Sequence, residues 1–511
     1  MNRRAHRGCG IRLAVCCRYE AWHNHLGMTL CVGRWLALAV VLAACAHTPT
    51  PAATATFDLV LARGRVIDPE TGLDAVRDVG LNGHTIAAIS ESPLRGRVTI
   101  DVHGLVVAPG FIDLHQRAQD PDAYAVEVRD GTTSALDLEE GTADVAGWYA
   151  SREGKALIHY GVAVGHTAVR MAVMHDPGPS DPSGDAAHRA ATDAQLAQIR
   201  RGIERGLAVG APAVGILLGA TPAARPREVL EIFEAAAAHR AVVYLHLRGV
   251  DEPFYLVDLE EAIAASVITG AAVHVEHLPS TGHEDTPRML AMMRGARLRG
   301  VDITTECYPY TASMLEIRSP MLADWERWPD EKFARIEWAA TGARLTRDTF
   351  ARYRDRETDG YVVLHSPSLT EDIVQRAVAD PLVMIASDGL LKKGVGHPRT
   401  AGTFARVLGH YVRDVRALPL IDALRKMTVM PAQRLERRVP AMRRKGRVQV
   451  GMDADLVVLD PAKVVDRATY REPTLPPAGI PYVIVAGEIV VNHGEVVPGR
   501  FPGRAIRAPL P

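Results

Sequence analysis

Leu105-Val106-Val107-Ala108-Pro109-Gly110-Phe111-Ile112-Asp113-Leu114-His115 is where the chain changes pattern, and that change decides the fold. Upstream, residues 57–67 (FDLVLARGRVI) alternate and are β-branched, the mark of a strand. Residues 78–81 and 85–89 read as two more strands around the Asn82-Gly83 hairpin turn, and 97–102 as another. From Gly110 onward, short apolar segments ending in polar residues alternate with helical stretches rich in Ala and Arg. The segments are 132–138, 156–164, 213–217, 242–245, 272–276, 303–307, 361–364 and 382–386. Helical patterns at 193–206, 226–239, 257–269 and 286–300 sit between several of them. Strands separated by helices make a parallel sheet, and eight such strands close an α/β fold of the (β/α)8 TIM-like barrel type. A doubly wound open sheet would carry a glycine fingerprint at its first turn, and none is present.

Residues 420–437 read as a last helix, after which 454–459, 482–485 and 488–491 are strands again. The two β-rich ends can pair into one small domain. The expected organisation is a leader and tether over 1–55, a first β-sandwich part over 56–108, the barrel over 109–440 and a second sandwich part over 441–511. The charged segment 315–357 lacks a clear strand pattern and reads as an insertion able to act as a lid.

Composition narrows the function. With 59 basic and 60 acidic residues and no long single-sign run, nothing points to a nucleic-acid partner. Five of the six cysteines lie at positions 9, 16, 17, 31 and 45, leaving only Cys307 in the body, so the body does not rely on disulfides. From Met28 a single Arg34 precedes an apolar run over 35–44, the layout of a secretory signal and too short to span a bilayer. Leu42-Ala43-Ala44-Cys45 resembles a bacterial lipobox, and His47-Thr48-Pro49-Thr50-Pro51 suits a flexible tether. The expectation is export to a bacterial periplasm, with a lipid on Cys45 as the one membrane attachment.

A barrel places its active site at the C-terminal ends of its strands. Read there, the chain supplies His115, Glu139 and Glu140, His166, His246, His274 and His277, and Asp388. Imidazoles and carboxylates suit zinc or a similar divalent ion, which activates water for attack on an amide carbonyl. An adjacent carboxylate can take the water's proton and pass it to the leaving amine. His166, His283 and His365 read as ordinary hydrogen-bonded residues. In 273–277 (VHVEH) side chains alternate, and His277, nearest the strand end, is the better ligand.

Residues 107–115 (VAPGFIDLH) resemble the first-strand motif of the amidohydrolase superfamily. Gly131-Thr132-Thr133, His246-Leu247-Arg248-Gly249, 305–313 (TECYPYTAS), Ala386-Ser387-Asp388-Gly389 and His397-Pro398-Arg399 narrow the resemblance to its N-acyl-D-amino-acid deacylase branch. So do 402–409 (GTFARVLG), 430–435 (MPAQRL) and 451–457 (GMDADLV), and the similarity runs over 57–511. The resemblance implies a barrel flanked by a β-sandwich, a zinc held by His246 and His277, and Asp388 as catalytic base. The third ligand in that branch is a cysteine or a glutamate, so Glu139 or Glu140 fills it here. Strand alternation favours Glu139, with Leu136 and Leu138 packed on helices. The implied substrate is a small N-acyl-D-amino acid, whose carboxylate Arg399 can bind through two parallel hydrogen bonds, with Arg248 and Arg117 as rivals. His397, Tyr308 and Tyr310 are further candidates for substrate contact.

One departure stands out. The family has His-x-His after the first strand, whereas this chain has His115-Gln116-Arg117. A guanidinium stays protonated and cannot ligate a cation, so His115 loses its partner and one zinc per chain is expected. The departure leaves two alternatives to the linear-amide reading. A cyclic-amide hydrolase would need a carboxylated lysine at a strand end, and 214–220 (VGILLGA) has none. A binding lipoprotein that has lost its chemistry is the other.

Overall fold

Eight parallel strands follow one another in sequence and in space. They are β1 (Phe111–Asp113), β2 (Thr132–Thr142), β3 (His159–Gly165), β4 (Ala213–Leu217), β5 (Val242–His246), β6 (Ala272–Val275), β7 (Ile303–Cys307) and β8 (Val383–Ile385). The computed structural model describes residues 56–249, 254–356 and 360–510; the expected leader, tether and Cys45 lie outside them. Across the seam between β8 and β1, Arg117 N–H donates to Gly389 O at 3.0 Å and Ser387 N–H to Asp113 Oδ1 at 3.1 Å. Among the described residues, no helix is long and apolar enough to cross a membrane.

Both faces of the barrel strands are buried, which explains their near-continuous apolar runs. Val214, Val243, Val273 and Ile303 pack outward with the helices. Ile112, Leu136, Leu138, Ala163, Tyr244 and Met384, from five different strands, form one interior cluster. Leu136 and Leu138 therefore face the barrel interior, correcting the expectation that they pack on helices. The helices Asp193–Ala208, Pro226–Ala238, Phe254–Thr269 and Thr286–Leu298 fall where the periodicity put them. The first opens on a capping box of Thr192 and Gln195.

Three expectations of order change. Tyr361–His365 is not a barrel strand; Phe111–Asp113, only three residues long, takes its place in the count of eight. Tyr361–His365 instead joins Ala312–Glu316, Ile336–Trp338 and Ala343–Arg344 in an antiparallel four-stranded sheet. The insertion thus has strands after all, and its own core of Ile317, Leu322, Phe333, Trp338 and Phe350. The helix read over 420–437 is two, Leu420–Met427 and Val429–Leu435, broken at Thr428 with φ −136° and ψ −76°.

The chain ends meet in one nine-stranded sheet. Its join is the antiparallel pairing of Val106–Pro109 with Leu456–Leu459, Val107 opposite Val458. Val107, Leu456, Val458 and Ile484 face a core shared with Leu61 and Val66, while Ala108, Val457 and Val483 turn into the barrel's outer core and its side. Period-2 alternation here serves two buried faces rather than one buried and one wet.

Candidate active site

The functional side chains stand at the C-terminal ends of the barrel strands or just past them. β2, at 11 residues, is the longest barrel strand and overhangs its neighbours. A Cβ on Gly165 would lie 1.9 Å from the Glu140 carbonyl oxygen, and one on Gly215 2.1 Å from that of Glu139. Only glycine lets β3 and β4 pass that closely under β2. The β2–β3 register breaks between Asp137 and Thr142, and in that irregular stretch Glu139 turns into the site.

Glu139 Oε1 lies 2.9 Å from His246 Nδ1 and 3.4 Å from His277 Nε2, and those two nitrogens are 2.9 Å apart. Ligands at about 2.0–2.1 Å around a tetrahedral ion are separated by roughly 3.3 Å, so this triangle fits one divalent cation. All three residues are buried. Burial pushes the Glu139 carboxyl up, but His115, His246 and His277 outweigh it and hold it well below the usual carboxylate range. Burial also lowers His246, against the pull of Glu139, and favours the neutral imidazole that ligates metals. Glu139 is the carboxylate that completes the triangle, while Glu140 is pushed up to about 8 by burial despite Arg117 and takes no part in it.

A second triad shares Glu139. His115 Nε2 lies 2.9 Å from Glu139 Oε2 and 3.3 Å from Asp388 Oδ1. His115 Nδ1 is 2.6 Å from Glu306 Oε1, and Glu306 Oε2 is 3.2 Å from His274 Nε2. Burial raises the Glu306 carboxyl, yet His115 and His274 bring it down to about 2, so it stays ionised and orients His115. Asp388 Oδ2 pairs with Arg399 at 2.8 Å, and Asp388 Oδ1 is buried without a hydrogen-bond partner. His277 and Asp388 hold left-handed backbone, φ 30° and 49°, a conformation costing about 1–3 kcal/mol that the surrounding fold must impose.

A cavity of about 450 Å³ opens over this floor. Glu139, His246, His277, Tyr308 and Asp388 line it from the barrel, and Met321, Trp328, Lys332 and Arg335 from the insertion. His283 and His365, read as ordinary, also face it. Arg399 is buried beside it, its guanidinium 4.5 Å over the Tyr308 ring; its Nε and NH1 and the Tyr308 hydroxyl lack partners. His397 does not line this cavity. It is fully buried, with Nδ1 accepting from Arg399 N–H and Nε2 donating to Ala312 O, so it pins the Arg399 loop to the insertion. Arg248 is taken by Glu261 at 2.7 Å, and Tyr310 packs on His397 away from the cavity. His166 pairs with Glu228, as its ordinary reading requires. Burial pushes the Cys307 thiol up to about 12, leaving it inert. Sequence reasoning missed Glu306; the signal was a carboxylate within the five residues of β7 (ITTEC), a strand of the barrel.

A parallel barrel with imidazoles and carboxylates gathered at its C-terminal strand ends defines the class of barrel hydrolases. Residues 98–491 match the model described as Amidohydrolase family, and the chain belongs to that family. It is 33% identical to a D-aminoacylase of Alcaligenes xylosoxydans xylosoxydans over 88% of this chain and 97% of that protein. The crystal structure of N-acyl-D-glutamate deacylase from Bordetella bronchiseptica, complexed with zinc and a phosphonate mimic of the tetrahedral intermediate, superposes with TM-score 0.76. Its identity is 27%, covering 89% of this chain and all of that one. A D-aminoacylase studied for one-metal activation and second-metal attenuation superposes at TM-score 0.74 and 26% identity, over 89% of this chain and all of the other.

Proposed function

We propose that the protein hydrolyses the amide bond of N-acyl-D-amino acids, using one zinc ion held by Glu139, His246 and His277. The observation that carries this reading is the convergence of Glu139 Oε1, His246 Nδ1 and His277 Nε2 on the floor of a cavity that Asp388 shares. A divalent ion held by these three residues would supply polarisation of the acyl carbonyl and a water of lowered pKa. Asp388 does the proton work. Its Oδ2 is fixed by Arg399, leaving Oδ1 to take a proton from the attacking water and return it to the departing nitrogen. The C–N bond breaks as the C–O bond forms, giving a carboxylate and an amine. The Tyr308 hydroxyl and the unpartnered Nε and NH1 of Arg399 are the donors for the substrate's own carboxylate. Export and a lipid on Cys45 belong to the same proposal, and incorporation of labelled palmitate into wild type but not Cys45→Ala tests them.

The enzymatic reading is tested by elemental analysis of purified protein together with a panel of N-acetyl-D- and N-acetyl-L-amino acids. Zinc in the protein and D-selective turnover are expected. Protein that stays metal-free and inactive after zinc addition would instead support a binding lipoprotein, and turnover confined to hydantoins would support a cyclic-amide hydrolase.

A further inference from the structure

The two triads of the site are unequal in charge, and Arg117 makes them so. His115, Glu139 and Asp388 bring ligand atoms within 4.8 Å of one another, a second arrangement able to hold a cation. A cation is already there. The Arg117 NH1 lies 3.4 Å from Glu139 Oε2 and 3.3 Å from Glu140 Oε1, and its Nε is 3.9 Å from Asp388 Oδ1. Its side chain is only 9% exposed, and its backbone is locked into the barrel seam by the bond to Gly389. The guanidinium can neither lose its proton nor offer a lone pair. Any ion using Glu139 Oε2 and Asp388 would sit against a fixed positive charge in a buried, weakly screened place. Among the described residues, no arginine or lysine pairs with Glu139 Oε1, where the two imidazoles approach.

We propose that Arg117 is a built-in counter-cation that occupies the electrostatic place of a second metal. It balances the carboxylates that such a metal would bridge, restricts the chain to one ion, and makes its turnover indifferent to excess zinc. The inference rests on the zinc reading above. It also removes Arg117 as a receptor for the substrate carboxylate, because its donors already face three carboxylates of the protein.

The test is zinc titration of the demetallated full-length protein, followed by calorimetry and by equilibrium dialysis with elemental analysis. Wild type and Arg117→Lys, which keeps the charge, should each take one equivalent and no second up to about 1 mM free zinc. Arg117→Met and Arg117→His should bind a second equivalent roughly a hundredfold more tightly than wild type does, with the first unchanged. Their turnover should then vary with zinc excess where that of wild type stays flat. Two tight equivalents in wild type, or one in every variant, would overturn the proposal while leaving the function standing. No zinc in any of them would remove the function and this inference together. Melting curves of all four proteins identify a variant that fails to fold; the lysine and methionine variants are expected to part in stoichiometry, and the methionine variant, which leaves buried carboxylates without their cation, to melt lower when metal-free.

Discussion

The barrel contains two buried constellations of histidine, carboxylate and arginine, and one of them lines the cavity over the strand ends. In the first, His166 Nε2 lies 2.7 Å from Glu228 Oε1, Arg170 NH1 donates to both Glu228 oxygens, and Arg170 Nε and NH2 donate to backbone carbonyls. Both carboxylate oxygens and every guanidinium nitrogen are engaged. In the second, around Asp388, the groups are equally buried but left incomplete. Asp388 Oδ1, Arg117 Nε, Arg399 Nε and NH1, the Tyr308 hydroxyl and His246 Nε2 have no partner, and the cavity lies alongside. Burying a polar atom without a partner costs about 1–3 kcal/mol, so a fold keeps such atoms only where something else uses them. Residue type does not separate the two clusters. The number of unpartnered atoms does: His166 Nδ1 alone in the first, the six just named in the second.

Crossed substitutions test that division. Asp388→Asn should lower kcat by about 10²–10⁴ while zinc content and melting temperature stay at wild-type values. Activity within a few-fold of wild type would remove Asp388 as the proton carrier. Glu228→Ala should do the reverse, costing about 3–5 kcal/mol of stability because it strands the buried Arg170 charge, with zinc stoichiometry and kcat/KM unchanged well below the transition. A variant that unfolds no more easily in urea would show that the His166 cluster is not architectural. Glu306→Gln lies between these extremes. It frees His115 without touching the Glu139–His246–His277 triangle, so activity should fall about 10–100-fold with zinc retained. An unchanged rate would mean that His115 needs no orienting carboxylate.

How far the sequence discloses this depends on whether a signal is local. Strands and helices with their own periodicity were legible, as were His246, His277 and Asp388, because each stands at the end of an apolar run. The carboxylate of the triangle was legible for the wrong reason. Alternation singled out Glu139 but placed Leu136 and Leu138 on the outside, whereas the register break and Gly165 and Gly215, distant in sequence, turn the chain. β1 escaped the strand count because three residues carry no periodicity, and Tyr361–His365 entered it because an insertion strand has the same apolar run as a barrel strand. His397 looked like a substrate contact because a motif gives the order of residues but not their partners, and its two backbone bonds exist only in the fold.

The smallest expected effect is a pH dependence, and it sharpens the comparison on the architectural side. Burial pushes the Glu228 carboxyl up, but His166 and Arg170 more than offset it and bring it to about 2, against about 4.5 in the unfolded chain. Because the folded value is the lower one, the stabilisation is complete well above 4.5 and is lost as pH falls through the window from about 4.5 to 2. Wild type minus Glu228→Gln, measured by urea unfolding, should therefore shrink by about 1 kcal/mol between pH 7 and pH 4. The difference cancels the acid sensitivity that both proteins share, including that of the candidate site. A gap that stayed constant or widened toward pH 4 would mean that Glu228 is not held ionised by its neighbours. The contrast between a satisfied cluster and an open one would then lose its electrostatic half.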